Sequence, residues 1–586
     1  MKKTETSCFN KLSMTKTLLS TEVFVHFSIL TVGDIVKKIY LIICFLILTV
    51  TTYSQIVYEP IWKDVYNYLD RLSQKGVIEF DDLFKPVPRK YIAEKLNEVK
   101  GKAYQLTNLE REELEFFEKD YFIENNNFKE QPEGLENSGF FREDSAKRFR
   151  LFSLDNDIVK LNISPIIGYK TSWLGKDLNT HSWNGLYTYG YLPGKIGFSL
   201  DFRFNNEKGN SADRYKSFTP VTGIIRNDNK HSFDYSEIES MISVDWKWGN
   251  LAVAKEFLEY GYAESGKLVL SNKAPSFPFI LLKIKPAKWI NFIYFHAWLS
   301  SDIIDSVQVA EYKRDIFRSK YFAWHELAVT PWEGLNISIG ESIIYSDKLE
   351  ISYLIPFMFF YVADDYISNR IDKPGDANSQ FFLSVSSKNN LKNTHLYGTL
   401  FIDELTLRGV GGSIVPDNPS LLFDSDNRLQ LGYTVGASVS DLSIDNLSVT
   451  LEYTRIYPYV YGHHTPAETY TNASYVMGHW MGHNADLAYL EFNYRFLRGL
   501  QMSLWGEYIR KGSSDYSGQY DYPSPPFLFG LKNYYKYLGL NIKYELMHEL
   551  NFEAGFRLNL TKSEQDDGSF YNDKINEFSL SVYYGL

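Results

Sequence analysis

The chain has 586 residues, with 61 Lys and Arg against 72 Asp and Glu, and a formal net charge of −11 that argues against a nucleic-acid partner. Charged residues make up 23% of it, too many for a bundle of membrane helices. It also holds 44 Tyr, 41 Phe and 11 Trp, an aromatic load suited to the interface girdles of a membrane β-barrel.

The N-terminal part reads as a presequence, residues 1–54. Within it, 37–54 has the plan of a signal peptide: basic Lys37 and Lys38, an apolar run Ile39–Val50, then small Thr52 and Ser54 ahead of a cut before Gln55. The run is too short for an ordinary spanning helix. Residues 1–35 read as a mis-assigned start, with the true start near Val36. The two cysteines, Cys8 and Cys44, both precede the predicted mature chain, so neither a disulfide framework nor thiolate chemistry is expected.

A helical region follows over 55–125. Ile61, Val65, Leu69 and Leu72 share one helical face, with Gly76 as a stop. Ile92, Leu96 and Val99 repeat the pattern, and Thr107 with Glu110 forms a capping box ahead of a third helix. Three short helices bury little alone, so they are expected to dock on something larger. An Asn/Glu/Gly/Pro-rich linker, 126–147, comes next.

From 148 to 586 the period is two. In "KIGFSLDFRFN", Ile196, Phe198, Leu200, Phe202 and Phe204 form an apolar face opposite Asp201 and Arg203. In "LAYLEFNYRF", Leu490, Phe492, Tyr494 and Phe496 oppose Tyr489, Glu491, Asn493 and Arg495. In "LNFEAGFRLNLT", Phe552, Phe556 and Leu560 oppose Glu553, Arg557 and Asn559. A soluble sandwich tolerates such strands, but so many in one run favour a closed sheet with its apolar face on lipid. Long connections at 457–486, 511–533 and 562–573 alternate with tight ones at Arg498–Gly499 and Leu546–Glu549. That rhythm predicts long outer loops and short periplasmic turns. About 440 residues allow roughly 18 antiparallel strands. The fold class expected is therefore all-β: a transmembrane barrel with a short N-terminal helical region in the periplasm. The apolar C-terminal strand, ending Val582, Tyr584, Leu586, suits recognition by the barrel-assembly machinery, and a monomer embedded in outer-membrane lipid is expected.

Several stretches resemble the Wzi-type capsule-assembly family of outer-membrane proteins. They include "DYSEIESMISVDWKWGNLAVAKEF", "LVLSNKAPSFPFILLKIKPAKWINFIYFHAWLSSDI", "GESIIYS", "ISYLIPFMFFY", "LEYTRIYPYVYGHHTP" and "GHWMGHNADLAYLEFNYRF", with "VYNYLDRLSQKGVI" in the helical region. The similarity covers nearly everything after the signal peptide, although "KEFLEYGYAESGKL" carries fewer glycines than the family pattern. The resemblance implies an 18-stranded barrel with a periplasmic helical bundle, and a lectin-like role holding capsular polysaccharide at the surface.

Site candidates concentrate in the loop "YPYVYGHHTPAETYTNASYVMGHWMGHNAD". Tyr459, Tyr461 and Trp480 suit stacking on pyranose faces, while His479, His483 and Asp486 suit hydrogen bonds to sugar hydroxyls. The competing reading is an interface girdle with loop packing. His479 and His483 have metal-ligand spacing only on a helix, and the surrounding glycines argue against one, so no metal is expected. Asp201, Glu452, Glu491, Glu507 and Glu553 could be paired as in a glycosidase, but lumens are full of salt-bridged carboxylates, and Arg203, Arg495, Arg557 and Lys543 are available partners. No enzyme and no cofactor are expected. Two functions remain: retention of capsular or exopolysaccharide, or a diffusion or uptake channel for small solutes.

Overall fold

The computed structural model describes residues 56–125, 138–144, 146–156, 159–192, 196–370, 377–406, 428–519 and 523–585. The predicted signal peptide, its cut before Gln55 and residues 126–137 of the predicted linker lie outside these.

Eighteen antiparallel strands form the wall. The first six are β1 (Lys160–Leu174), β2 (Asp177–Leu192), β3 (Ile196–Lys208), β4 (Ser232–Trp246), β5 (Gly249–Glu256) and β6 (Phe277–Ala287). Next come β7 (Ile290–Leu299), β8 (Lys320–Trp332), β9 (Leu335–Ser346), β10 (Asn378–Lys388), β11 (Thr394–Thr406) and β12 (Arg428–Ser440). The last are β13 (Leu447–Ile456), β14 (Ala485–Leu497), β15 (Leu500–Lys511), β16 (Asn533–Met547), β17 (Leu550–Glu564) and β18 (Phe570–Tyr584). Each strand pairs with the next, and β18 closes on β1 with Phe578 opposite Trp173 and Tyr584 opposite Ile167. A hairpin, Ser138–Glu143 with Phe149–Asp155, extends the wall beside the start of β1. Part of the predicted linker is thus strand.

Side-chain parity is inverted relative to a water-soluble protein. Ile242, Val253, Leu538, Phe556 and Leu580 point outward and are exposed, whereas Asp201, Glu326, Gln380, Glu452 and Thr454 point inward and are buried. An exposed apolar surface that wraps a closed barrel far exceeds the patches water tolerates. The wall is a transmembrane barrel, and Trp248, Trp289 and Trp332 stand exposed at one rim as an aromatic girdle.

That rim carries the tight turns 247–248, 288–289, 333–334, 498–499 and 548–549. The opposite rim carries the long connections 209–231, 257–276, 300–319, 347–377, 457–484 and 512–532. The expected long loop at 562–573 is instead the short connection 565–569. The ladder persists there, with Ser563 opposite Tyr571 and Glu564 opposite Phe570, although the apolar alternation has ended. Loss of lipid contact does not end a strand.

Helices α1 (Val65–Gln74), α2 (Arg89–Gly101) and α3 (Asn108–Asp120) form where the periodicity predicts. Leu69, Leu72, Ile92, Leu96 and Val99 are fully buried between them, each worth about 1.5–3 kcal/mol of transfer. The capping box is formed: Thr107 Oγ1 accepts from Glu110 N at 3.2 Å, and Glu110 Oε2 accepts from Thr107 N at 2.9 Å.

Phe556→Arg should impair insertion, because a cation facing mid-membrane lipid costs about 2–4 kcal/mol. Asn559→Arg, on the inward face of the same strand, should be tolerated better. Heat-modifiable gel mobility in membranes from cells expressing each variant reads the folded fraction. Equal losses would contradict the lipid assignment.

Candidate functional site

The helical region caps the tight-turn rim through charged contacts. Arg71 Nη2 meets Asp441 Oδ1 at 2.5 Å, and Lys388 Nζ bridges Asp70 at 2.6 Å and Asp82 at 3.0 Å. Arg495 holds Glu113 at 3.2 Å, and Lys543 holds Asp64 at 2.8 Å. The Phe116 ring stacks on His548 at 3.5 Å between centroids. From this side, Phe84 and Lys85 reach into the lumen and pair with Tyr260 and Glu259 of the connection 257–276. Segments entering from opposite rims therefore meet inside the barrel.

Two long connections fold inward. The predicted lumenal carboxylate Glu452 anchors the first, accepting from Glu264 N at 2.6 Å and Ser265 N at 2.8 Å, and from the Tyr397 hydroxyl. The second, 457–484, carries the predicted sugar-binding residues, and it is packed on the first. Tyr461 Oη donates to Leu268 O at 2.6 Å, Trp480 Nε1 donates to Ser265 O at 2.8 Å, and Ser271 Oγ donates to Gly478 O at 2.6 Å. The approach is close enough to require glycine: a Cβ at Gly478 would lie 2.5 Å from the Tyr461 ring, and one at Gly266 would lie 2.6 Å from His479 Nε2.

Tyr459, Tyr461, His479, Trp480 and His483 are consequently buried, with ring faces occupied by protein. Tyr461 stacks on Tyr470 at 5.7 Å, and Trp480 meets Phe218 edge-on at 5.2 Å. They come together, packed as a plug between the two connections. Asp486 does not join them. It shares parity with Leu490 and Phe492, so it lies on the outer wall, where it binds Arg510 Nε at 2.9 Å and Tyr453 Oη at 2.9 Å.

Of the other lumenal residues, Asp201 pairs with Arg203 at 2.7 Å, Arg557 pairs with Glu577 at 2.6 Å, and Glu553 accepts from Tyr583 Oη at 2.8 Å. Glu491 is half-buried on the inward face. Asp201 and Glu553 are thus held by structural partners. One half of the lumen is filled by Phe279, Phe295, Phe322, Trp324 and Phe382. The other keeps a cavity of about 450 Å³ lined by Trp62, Trp183, Arg203, Tyr235, Glu237 and Glu553. Arg203 lies 4.8 Å over the Trp62 ring there. A second cavity of about 820 Å³ lies under the helical region at the tight-turn rim, lined by Tyr91, Ala328, Asn336, Ser386 and Lys388. The sequence patterns that mark the loop candidates do not mark Trp62, Trp183, Tyr235 or Glu237. For Trp183 a signal exists: it alternates in step with the inward Tyr187 and Tyr189.

His479 and His483 lie on irregular backbone, with Gly482 at φ +66 between them. His479 Nδ1 accepts from Met481 N at 3.3 Å, and His483 Nδ1 accepts from Tyr459 N at 3.1 Å, so both rings must be neutral. Burial pushes His463, His479 and His483 each down to about 3. In the same plug, burial pushes Glu264 and Glu468 up to about 7.

No protein-family model matches the chain, and no curated protein matches its sequence. Among solved structures the barrel is similar to Wzi of Escherichia coli, an outer-membrane protein involved in group 1 capsule assembly and described as a carbohydrate-binding β-barrel. The TM-score is 0.54 at 12% identity, over 91% of this chain and 100% of that one. The two share a fold. OccK5 (OpdH) of Pseudomonas aeruginosa aligns over 72% of this chain and 97% of its own, at 12% identity and a TM-score of 0.38. OprD of the same organism aligns over 73% and 95%, at 12% identity and 0.39.

The plug should loosen in acid. A histidine whose folded pKa is lowered binds its proton more readily when unfolded, so its stabilisation is full above about 6.5 and falls as the pH drops towards 3. The two raised carboxyls oppose this between about 7 and 4.5, since they bind protons more tightly in the folded plug. Below 4.5 the histidine effect continues, at up to about 1.4 kcal/mol per pH unit for each ring. Single-channel recordings should show a closed barrel near neutrality and openings appearing below pH 4.5. A conductance unchanged down to pH 3 would contradict the neutral-histidine plug.

Proposed function

We propose that the protein resides in the outer membrane of a Gram-negative bacterium and retains capsular or exopolysaccharide at the cell surface. The helical region faces the periplasm, and the long connections face outward. The observation that carries this reading is the double closure of the lumen, by the helical region at one rim and by 257–276 and 457–484 from the other. A diffusion channel gains nothing from segments that meet in its interior. The fold shared with a carbohydrate-binding barrel supports the same reading.

The buried rings then act as positioning residues. Tyr459, Tyr461, His479, Trp480 and His483 fix the loop that carries Tyr475, whose hydroxyl donates to Tyr215 O at 2.8 Å and Ile224 O at 3.2 Å. This buttresses the connection 209–231, where the Tyr215 ring is 63% exposed and backed by the Arg226 guanidinium at 4.4 Å. Asp228 pairs with Arg226 at 2.9 Å and Arg214 at 3.1 Å beside it. A ring with neighbouring donors and acceptors offers the two contacts a pyranose uses: an apolar face and hydroxyl partners. Asp486, on the wall with Arg510, contributes at the membrane rim rather than in this group.

Deleting the gene should release polysaccharide into the medium without stopping its synthesis. Tyr215→Ala should weaken oligosaccharide binding by about 1 kcal/mol, roughly fivefold, at unchanged barrel abundance. Along a polymer many such contacts act together, so cell-bound coat should fall further than the single-site affinity. A deletion strain that keeps its coat but loses uptake of a small solute would instead favour the channel reading, for which cavities of about 450 Å³ and about 820 Å³ offer space.

Orientation has its own test. An epitope inserted within 512–532 should be reached by antibody on intact cells, and one at Arg498–Gly499 only after the outer membrane is opened. The reverse pattern would invert the topology.

A further inference from the structure

The connection 347–377 behaves unlike the loops that enter the lumen. Its described part, 347–370, leaves β9 at the long-loop rim and folds down over the outside of the wall. On β7, β8 and β9 the outward positions include Tyr294, His296, His325, Glu341 and Tyr345, polar groups where lipid-facing residues belong. All are buried or half-buried, because residues 351–367 cover them. Tyr294 Oη donates to Tyr353 O at 2.9 Å, and His296 Nε2 lies 2.7 Å from Tyr345 Oη. Helix α4 (Phe360–Arg370) begins directly on Glu341, whose carboxylate accepts from Phe360 N at 2.8 Å and Tyr361 N at 2.6 Å. The His325 ring adds a contact to the same carboxylate at 3.4 Å and packs 4.5 Å from Phe360. A wall carboxylate thus caps a helix that lies outside the barrel.

The depth of this cover follows from register. Glu341 stands six residues along β9 from Leu335, which pairs with Trp332 of the girdle. At about 3.3 Å per residue and a tilt near 40°, it lies roughly 15 Å above that rim, inside an apolar band about 25 Å tall. Phe357 goes deeper, stacking on Phe292 at 4.6 Å, and Phe292 is level with Leu327 and Ile339 of the exposed belt. The far side of the segment is apolar too. Phe357, Phe359, Tyr361 and Val362 are all more than half exposed, and they continue the outward belt instead of interrupting it.

We propose that 347–370 is an intramembrane flap that lies within the apolar band beside the wall, reaching from the long-loop rim to about its midplane, with its exposed aromatic side seated against lipid acyl chains. Its inner side keeps these groups out of hydrocarbon: Glu341 accepts from flap backbone, His325 packs on Phe360, and Tyr353 packs on Tyr345, the partner of His296. Its outer side replaces them with surface that hydrocarbon accepts. The occupant is lipid because the flap is flanked by lipid-facing wall at its own level, with no aqueous gap in which a soluble partner could sit.

The test places a nitroxide label at Phe357→Cys and, separately, at Val362→Cys, in a Cys8→Ser/Cys44→Ser background of the full chain. The protein is reconstituted in phosphatidylcholine–phosphatidylglycerol vesicles, and heat-modifiable mobility verifies folding. Val253→Cys on the bare wall and Asp567→Cys in the connection 565–569 are the references. Collision with oxygen should exceed collision with nickel–ethylenediamine diacetate at both flap positions, as at Val253→Cys and opposite to Asp567→Cys. Nickel access equal to that at Asp567→Cys would overturn the proposal in favour of a water-exposed loop. Exclusion of both reagents would overturn it in favour of a second copy covering the flap.

Discussion

A strand in hydrocarbon has no water to satisfy the free groups of its edge, so the ladder between β18 and β1 is the contact on which everything else depends. Closing it with eighteen strands fixes a lumen wider than wall side chains can fill. An unfilled lumen of this size is an aqueous pore, and this chain supplies the filling itself. The helical region enters from one rim and 257–276 and 457–484 from the other. Each inward charge they meet is given a partner: Lys388 has Asp70 and Asp82, Arg495 has Glu113, and Glu452 has two backbone N–H groups. Buried pairs of this kind add little net stability, but losing one partner strands a charge, so they fix where each segment sits.

The filling is uneven, and the unevenness has a sequence origin. In β6 the run "FPFILL" is apolar at every position, so both faces are covered, lipid outside and the aromatic plug inside. Its inward residues Phe279 and Leu281 are buried accordingly. In β3 the inward positions Asp201, Arg203 and Asn205 are polar, and there the lumen keeps a cavity.

Much of the wall was legible because period two is a local signal, and the helices were legible because caps and 3.6-residue spacing are local as well. Asp486 was legible in principle: counting back by twos from Leu490 places it on lipid's side of the strand, away from Trp480. The fate of the loops was not. Tyr461 and Trp480 read alike whether their rings face a sugar or a second loop, and only the three-dimensional meeting of 457–484 with 257–276 decides it. The flap was hidden for the same reason. "ISYLIPFMFFY" has neither clean period, because one side packs on the wall and the other is itself apolar.

The plug also bears on how such a protein would hold a polymer. Sugar contacts are weak one by one, and ordering a loop around each would consume the gain. A loop already fixed beneath its exposed surface loses little entropy on binding. The route from Trp480 and Tyr461 through Tyr475 to Tyr215 supplies that stiffness, since Tyr475 bonds two carbonyls of the connection it supports. Affinity then grows with the number of repeats a chain can lay across many barrels, rather than with the depth of any pocket. On the proposed reading a closed lumen is compatible with that demand, because the work would be done on the outer surface and the interior would keep it rigid.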